Sequence, residues 1–147
     1  MDRIPTMQEL EQLAMIARGD HEEIMAFVKS RIFSYDQAEK AFIQRGNHDE
    51  IMAYIWRHHF AFDEVEILLV ERGNHDEIMR YIRKYYLPEE AEILLVKRGN
   101  HDEIMLYIKK HYFAGEAEKA LIARGNQEEI EANAARKLES MDEDDLA

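Results

Sequence analysis

One octapeptide, Arg-Gly-Asn-His-Asp-Glu-Ile-Met, organises this sequence because it occurs three times, beginning at Arg45, Arg72 and Arg98. A looser version begins at Arg18 and a shortened one at Arg124, so that successive versions start 27, 27, 26 and 26 residues apart. Self-similarity at a short fixed period is the signature of stacked repeat architectures, in which each unit buries its apolar face against its neighbours. The sequence therefore predicts a stacked repeat protein.

The composition favours helix as the content of these repeats. Hydrophobic residues make up 46% of the 147 positions, which is enough to bury a core, and a chain of this length fits one domain. Only 2 prolines and 6 glycines are present, while Glu, Leu, Ile, Lys and Met are frequent. Few helix breakers and many helix formers predict an all-α chain without sheet.

The repeated motif contains signals for the end of one helix and the start of the next. Gly46 follows Arg45 where a helix C-terminus needs a left-handed residue, which costs little only for glycine. Asn47 is a good N-cap, and Glu50 three residues later predicts a capping box. The basic and acidic residues of the motif also match the dipoles of the two helix ends.

Each repeat is therefore predicted to be a pair of short helices, called A and B. Ile51 and Ile55 mark the buried face of one A helix, and Val65 and Leu69 that of the following B helix. We predict a single domain over residues 1–138: a B-type half repeat at 5–18, repeats at 19–45, 46–72, 73–98 and 99–124, and an A-type capping helix at 126–138. This gives about ten short helices. Residues 139–147 are rich in acids and are predicted to form a disordered tail.

This pattern resembles the α-solenoid class, in the manner of HEAT-like or leucine-rich-repeat-variant proteins. The resemblance covers roughly residues 5–138 and rests on paired amphipathic helices repeating every 26–27 residues. It implies a right-handed α-α superhelix. It also implies a role as a protein-binding scaffold, because proteins of this class usually bind other proteins.

The charge and composition exclude several classes of function. A formal net charge of −12 makes nucleic acid an improbable partner, since phosphate recognition needs a basic surface, but it suits a basic protein partner. No apolar run approaches the ~20 residues of a membrane span, and no secretory signal opens the chain. A cytoplasmic location is favoured on these grounds. The chain has no cysteine, so disulfides and thiolate chemistry are excluded.

Histidines followed by acids recur at His21, His48, His75 and His101 and invite a metal-binding or hydrolytic interpretation. Neighbouring repeats are separated by about 8–10 Å, however, so equivalent histidines cannot share one ion. We predict instead that each packs against the adjacent repeat, and we expect no metal and no cofactor. The acids at the starts of the B helices, including Glu66 and Glu92, are predicted to form a solvated row. The remaining histidines, His58, His59 and His111, are predicted to lie at the surface.

Positions that differ between repeats are the candidates for binding a partner. Trp56 stands where the other A helices have Lys29, Arg83 and Lys109, and Leu106 stands where they have Ala26, Ala53 and Arg80. On the B helices, Ile67 and Ile93 replace Lys40 and Lys119. Acids flank these two isoleucines, namely Asp63, Glu64, Glu71, Glu89 and Glu90.

The sequence thus predicts a non-enzymatic protein-interaction scaffold that binds a basic or amphipathic peptide on its B helices, with Ile67 and Ile93 as anchors. One alternative is a metal-binding or hydrolytic helical-repeat protein that uses the histidines and carboxylates. Another is a purely structural or designed repeat array, which the near identity of the three central repeats suggests. The oligomeric state stays open.

Overall fold

Ten α-helices account for the regular structure of the part of the chain that the computed structural model describes, residues 4–145 with side chains as far as Met141. The helices are α1 (Met7–Arg18), α2 (His21–Ser30), α3 (Asp36–Arg45), α4 (His48–Arg57), α5 (Asp63–Arg72), α6 (His75–Ile82), α7 (Glu89–Arg98), α8 (His101–Lys110), α9 (Gly115–Arg124) and α10 (Gln127–Asp145). No strand occurs within those residues. The predicted all-α helical repeat is confirmed, with odd-numbered helices in the B position and even-numbered helices in the A position.

Helices pack on the second neighbour along the chain. In the first compact unit, Met1–Leu69, α1 packs on α3 and α2 on α4. In the second unit, Val70–Ala147, α6 packs on α8, α7 on α9 and α8 on α10. The boundary between the two units falls inside α5. In a stacked repeat protein each repeat contacts only its neighbours.

The predicted apolar faces are buried in both units. Ile51, Ile55 and Leu69 are at most 1% exposed in the first unit, as are Ile78, Leu95 and Leu121 in the second. Three A helices also carry a fully buried tyrosine, at Tyr54, Tyr81 and Tyr107. The repeats therefore enclose an aromatic layer as well as an aliphatic one.

The motif forms the helix junctions as the sequence indicates. Gly73 ends its helix at a φ of 72°, and the glycines of the other copies adopt φ values between 68° and 77°. The Asn47 side chain accepts a hydrogen bond from the Glu50 backbone N–H at 3.0 Å, which makes it the N-cap. The prediction that the Glu50 carboxylate accepts a hydrogen bond from the backbone N–H of the cap residue is wrong. The carboxylate oxygens bind Arg45 and His21 instead, because a charged partner holds a buried carboxylate better than an amide does.

The C-terminal helix is longer than the predicted capping helix at 126–138. It continues from Gln127 to Asp145 and so includes residues 139–145, for which the sequence predicted disorder. Glu139 and Met141 remain largely exposed on it. No proline or glycine interrupts this stretch, and glutamate is a fair helix former, so the helix can extend without packing. Residues 146 and 147 lie outside the described part.

The repeat glycines offer a test that separates backbone strain from packing. A Cβ on Gly73 would lie 2.7 Å from Nη1 of Arg98, whereas a Cβ on Gly125, with a similar φ of 77°, would meet nothing within 4 Å. We expect Gly125→Val to lower the unfolding free energy by about 1–2 kcal/mol through left-handed strain alone. Gly73→Val should cost at least about 1 kcal/mol more, because displacing Arg98 weakens the pairing of a buried carboxylate. Urea unfolding measures both, and equal losses would contradict a packing role for this glycine.

Candidate functional site

The recurrent histidines bind the buried glutamate of the next repeat. In the first unit, Nδ1 of His21 lies 2.7 Å from Oε2 of Glu50, and Arg45 donates to both oxygens of the same carboxylate at 2.8 and 3.0 Å. Glu50 has no exposed surface. The prediction that each histidine packs on the adjacent repeat is confirmed for this pair.

The same arrangement recurs twice in the second unit. Glu103 accepts from Arg98 at 2.7 and 3.2 Å and is 2.7 Å from His75. Glu129 accepts from Arg124 at 2.7 and 3.3 Å and is 2.6 Å from His101. We call this Arg–Glu–His group a rung. Each rung joins an arginine and a glutamate of one copy of the motif to a histidine of the copy before it.

The electrostatics of a rung are those of a stable ion pair. Burial by itself would raise the pKa of the Glu50 carboxyl, but the hydrogen bonds from Arg45 and His21 outweigh burial, and the pKa lies below its ordinary value. The hydrogen bond to Glu129 raises the pKa of His101. Both oxygens of each glutamate are thus occupied by partners from within the protein. This carboxylate is suited to holding two repeats together.

A second polar network, which the sequence analysis missed, connects the buried tyrosines to glutamates on the B helices. The Tyr54 hydroxyl donates to Glu39 at 2.8 Å and accepts from the backbone N–H of Phe33 at 3.1 Å. Glu39 also accepts from the N–H of Ala61 at 3.0 Å. Tyr107 makes the same bridge between Glu92 and the N–H of Leu87. The tyrosine and the glutamate each recur at the repeat period. That shared period was the signal from which their pairing could have been predicted.

Burial raises the pKa of Glu39 to about 7, although the hydrogen bonds from Tyr54 and the backbone act to lower it. A pKa raised from 4.5 means that this group stabilises the fold most at low pH and loses that contribution as the pH rises through about 7. The pKa of Glu92 is raised by burial as well. The predicted solvated row of acids is therefore wrong for Glu66, which is 8% exposed, and for the half-buried Glu92. Glu92 lies inward with the Tyr107 hydroxyl as its hydrogen-bond donor.

Both anchor candidates are half-buried, so the slot they share with lysine is partly open. Ile67 lies on α5 and Ile93 on α7, and the corresponding lysines, Lys40 and Lys119, have side chains that are 26% and 74% exposed. The five flanking acids, Asp63, Glu64, Glu71, Glu89 and Glu90, are all exposed. Glu64 is paired with Lys40. Glu89 reaches the first residue of α9, since a Cβ on Gly115 would lie 2.8 Å from its Oε2.

The two candidates on the A helices have different surroundings. Trp56 is 54% exposed at the end of α4. Leu106 is half-buried and lines a groove of about 770 Å³ between α8 and α10, together with Met105, Ala132 and Ala135. Lys109, Arg136 and Glu139 surround the same groove. Trp56 lies in the first unit and Leu106 in the second.

Two of the three remaining histidines are not at the surface as predicted. His111 is 7% exposed, and its Nε2 donates to the Ile82 carbonyl at 2.9 Å. His58 is half-buried, and its Nε2 has no hydrogen-bond partner among the described residues. Burial lowers the pKa of both imidazoles, which favours their neutral forms. His59 is exposed as predicted.

Among the side chains that the structure describes, no group of three or more His, Asp or Glu residues is placed to hold a metal ion. No described helix combines the length and apolar composition needed to cross a bilayer. Comparisons with protein-family models, with curated proteins and with solved structures found no match for this chain.

The rungs predict a specific pH dependence. His101 has a raised pKa, so its contribution to stability is fully present below the unfolded pKa of about 6.5 and is lost as the pH rises through the folded value. We expect His101→Gln to cost stability at about pH 6 and to cost less at about pH 8.5, because the stabilisation is lost as the pH rises through the raised pKa of the imidazole. Urea unfolding of both proteins at the two pH values measures this. A difference that is independent of pH would contradict a charged histidine in the rung.

The tyrosine bridge predicts an unequal effect of two Tyr→Phe changes. Tyr54→Phe leaves the Phe33 N–H without its acceptor and Glu39 without one donor in a buried site. We expect it to lower the unfolding free energy by about 1–3 kcal/mol, the usual cost of an unsatisfied buried polar group. Tyr86 is 71% exposed, so Tyr86→Phe should change stability by less than about 0.5 kcal/mol. Similar losses in the two variants would argue against the bridge.

Proposed function

We propose that this chain is a protein-binding helical-repeat scaffold whose B helices take a basic, amphipathic helical segment of a partner. The observation that carries the proposal is the replacement of lysine by isoleucine at a half-exposed slot flanked by exposed acids. Ile67 stands among Asp63 and Glu64 on α5, and Ile93 among Glu89 and Glu90 on α7. Lysine occupies this partly open slot in two other repeats, so the fold does not require an apolar residue there, which supports a role in binding.

The repeated positions and the variable positions have different roles, and this difference supports the same function. The repeated Arg, Gly, His and Glu side chains are used in joining repeats, with glutamates that have no exposed surface at Glu50, Glu103 and Glu129. The positions that vary lie outside these rungs. Surface residues that do not join repeats can differ from one repeat to the next and so fit a partner. Helical-repeat proteins use extended surfaces of this kind.

The chemistry of the surface selects the partner. On α7, Glu89 and Glu90 stand at the helix N-terminus, and Glu116 occupies the equivalent end of α9 in the same unit with a side chain 62% exposed. A partner helix with one apolar face and one lysine- or arginine-rich face would place an apolar side chain on Ile93 and its cations near these acids. Exposed ion pairs contribute about 0–1 kcal/mol each, so we expect an affinity in the micromolar range that falls with salt.

The proposal is tested with a synthetic helical peptide of leucine and lysine, labelled for fluorescence anisotropy. We expect Ile67→Lys and Ile93→Lys, alone and together, to leave the unfolding free energy within about 0.5 kcal/mol per site, because lysine already occupies this slot in two repeats. Each variant should weaken peptide binding at its own helix, and the double variant should weaken it at least about tenfold, since charge replaces the apolar anchor on both helices. An isomeric peptide with glutamate in place of lysine should not bind.

Leu106→Lys is the matched control, because it introduces the same charge at a half-buried apolar position on an A helix. It should leave the peptide affinity unchanged. If Leu106→Lys removes binding and the isoleucine variants do not, the binding surface is on the A helices. If Ile93→Lys unfolds the second unit, the slot is part of the core and the proposal for α7 fails.

A further inference from the structure

Each end of the repeat series carries half of a rung. Within the series, every described rung needs a glycine and a histidine from one copy of the motif and an arginine and a glutamate from the next copy. Among the described residues, no glycine and histidine of an earlier copy pack against Arg18 and Glu23 of the first copy. Likewise, no arginine of a later copy packs against Gly125 of the last copy in the described part of the chain.

The N-terminal half is already assembled and is open to solvent. Arg18 donates to Glu23 at 3.2 and 2.8 Å, the same bidentate pairing that Arg45 makes with Glu50. The side chains of Arg18 and Glu23 are 56% and 42% exposed, whereas those of Arg45 and Glu50 are 24% and 0% exposed. Arg45 and Glu50 are less exposed because the preceding repeat covers them.

A groove of about 630 Å³ lies beside this open pair, between α1 and α2. It is lined by Arg18 and Glu23 and by apolar side chains that include Met15 and Phe27. Phe27 occupies the slot of Tyr54 and Tyr107, yet it is half-buried where those tyrosines have no exposed surface. The N-terminal face, defined as Met15, Arg18, Glu23 and Phe27, is thus an inter-repeat surface without its preceding repeat.

The C-terminal half shows the complementary exposure. Ile122 is 56% exposed, although the same slot is 4% exposed at Ile43 and 3% at Val96. A Cβ on Gly99 would meet Nη1 of Arg124 at 2.9 Å, while one on Gly125 would meet nothing within 4 Å. Gln127 holds the histidine slot and is exposed. The C-terminal face, defined as Ile122, Gly125 and Gln127, is an inter-repeat surface without its following repeat.

We propose that the C-terminal face of one molecule docks on the N-terminal face of a second molecule, so that the two half rungs form one complete rung and the chain self-associates head to tail. The register follows from the internal rungs. Arg18 of the second molecule covers Gly125, and Glu23 of the second molecule accepts a hydrogen bond from the Gln127 amide. Ile122 enters the groove beside Phe27 and loses its exposure to water.

The chemistry of the two faces also limits the strength of the contact. Gln127 is neutral, whereas the histidine in internal rungs can carry a charge toward the glutamate, so the intermolecular rung lacks one charge-assisted bond. The two faces differ from each other, so the contact is heterologous and each added molecule presents a new free face. We therefore expect weak association that grows beyond a dimer as the concentration increases.

Sedimentation velocity of the full chain from about 10 µM to about 1 mM tests the association. The weight-average sedimentation coefficient should rise across this range in the unmodified protein, and Ile122→Lys should weaken association at least about tenfold. Ile32→Lys is the matched control: Ile32 is 51% exposed, and its slot is also exposed at His59 and Tyr86 in other repeats. A constant coefficient in the unmodified protein, or equal effects of the two lysine variants, would overturn the proposal.

Two further variants test the faces without relying on Ile122. Gly125→Asn keeps a residue that tolerates left-handed φ but places a side chain where Arg18 of the second molecule would lie, so it should also weaken association about tenfold. Gln127→His restores the histidine of an internal rung and should strengthen association below about pH 6.5. Failure of both changes to shift the sedimentation coefficient would exclude these faces. Circular dichroism checks that every variant retains the helical content of the unmodified chain.

Mixing two defective variants decides the polarity of the contact. Arg18→Glu damages only the N-terminal face, and Ile122→Lys damages only the C-terminal face. Each variant alone should stay monomeric, and the mixture should form a one-to-one complex that grows no further, because only one pair of intact faces remains. A mixture that stays monomeric, or variants that still associate by themselves, would contradict head-to-tail docking.

Discussion

The buried glutamate of each rung is the interaction on which the repeat architecture depends. Glu50, Glu103 and Glu129 are fully buried, and each is paired with an arginine of its own copy of the motif and a histidine of the preceding copy. An unpaired carboxylate in such a place would cost several kcal/mol, so misaligned stacking is disfavoured. The rung fixes the register between neighbours with a geometry that apolar packing alone would leave less defined.

The backbone of the motif also has a conformation that allows the rung to form. The glycine that ends the B helix gives the left-handed turn, and at Gly99 its missing Cβ also makes room for Arg124 of the next copy of the motif. The N-cap at Asn100 begins the following A helix, so that Glu103 points back toward its arginine. One short motif therefore serves as helix stop, helix start and inter-repeat connector, which explains why substitutions in it are few among the central repeats.

The buried tyrosines add a second and less uniform connection. Tyr54 and Tyr107 link a B-helix glutamate to a loop N–H, but in α10 the slot is held by Asn133, which bonds both the N–H and the carbonyl of Phe113. Glu118, which would otherwise lack a donor there, is paired with Lys137 at 2.8 Å. The polar interior is thus adapted at the last repeat, while the rung residues at the two ends are left half complete.

The sequence by itself determined the repeat length, the ten helices, their caps and the aliphatic faces, because these follow from local periodicity and from residue preferences that act within a few positions. It also indicated that the histidines contact a neighbouring repeat. Only the tertiary structure decided where the glutamates lie. Glu64 and Glu66 are two residues apart on one helix, yet the first is exposed and the second buried. The buried state of Glu39 depends on a tyrosine 15 residues away in sequence, as that of Glu50 depends on a histidine 29 residues away. Such pairings form only when one repeat stacks on another. The local pattern of charged residues is the same whether a glutamate contacts water or a buried side chain, so that pattern does not predict which glutamates are buried.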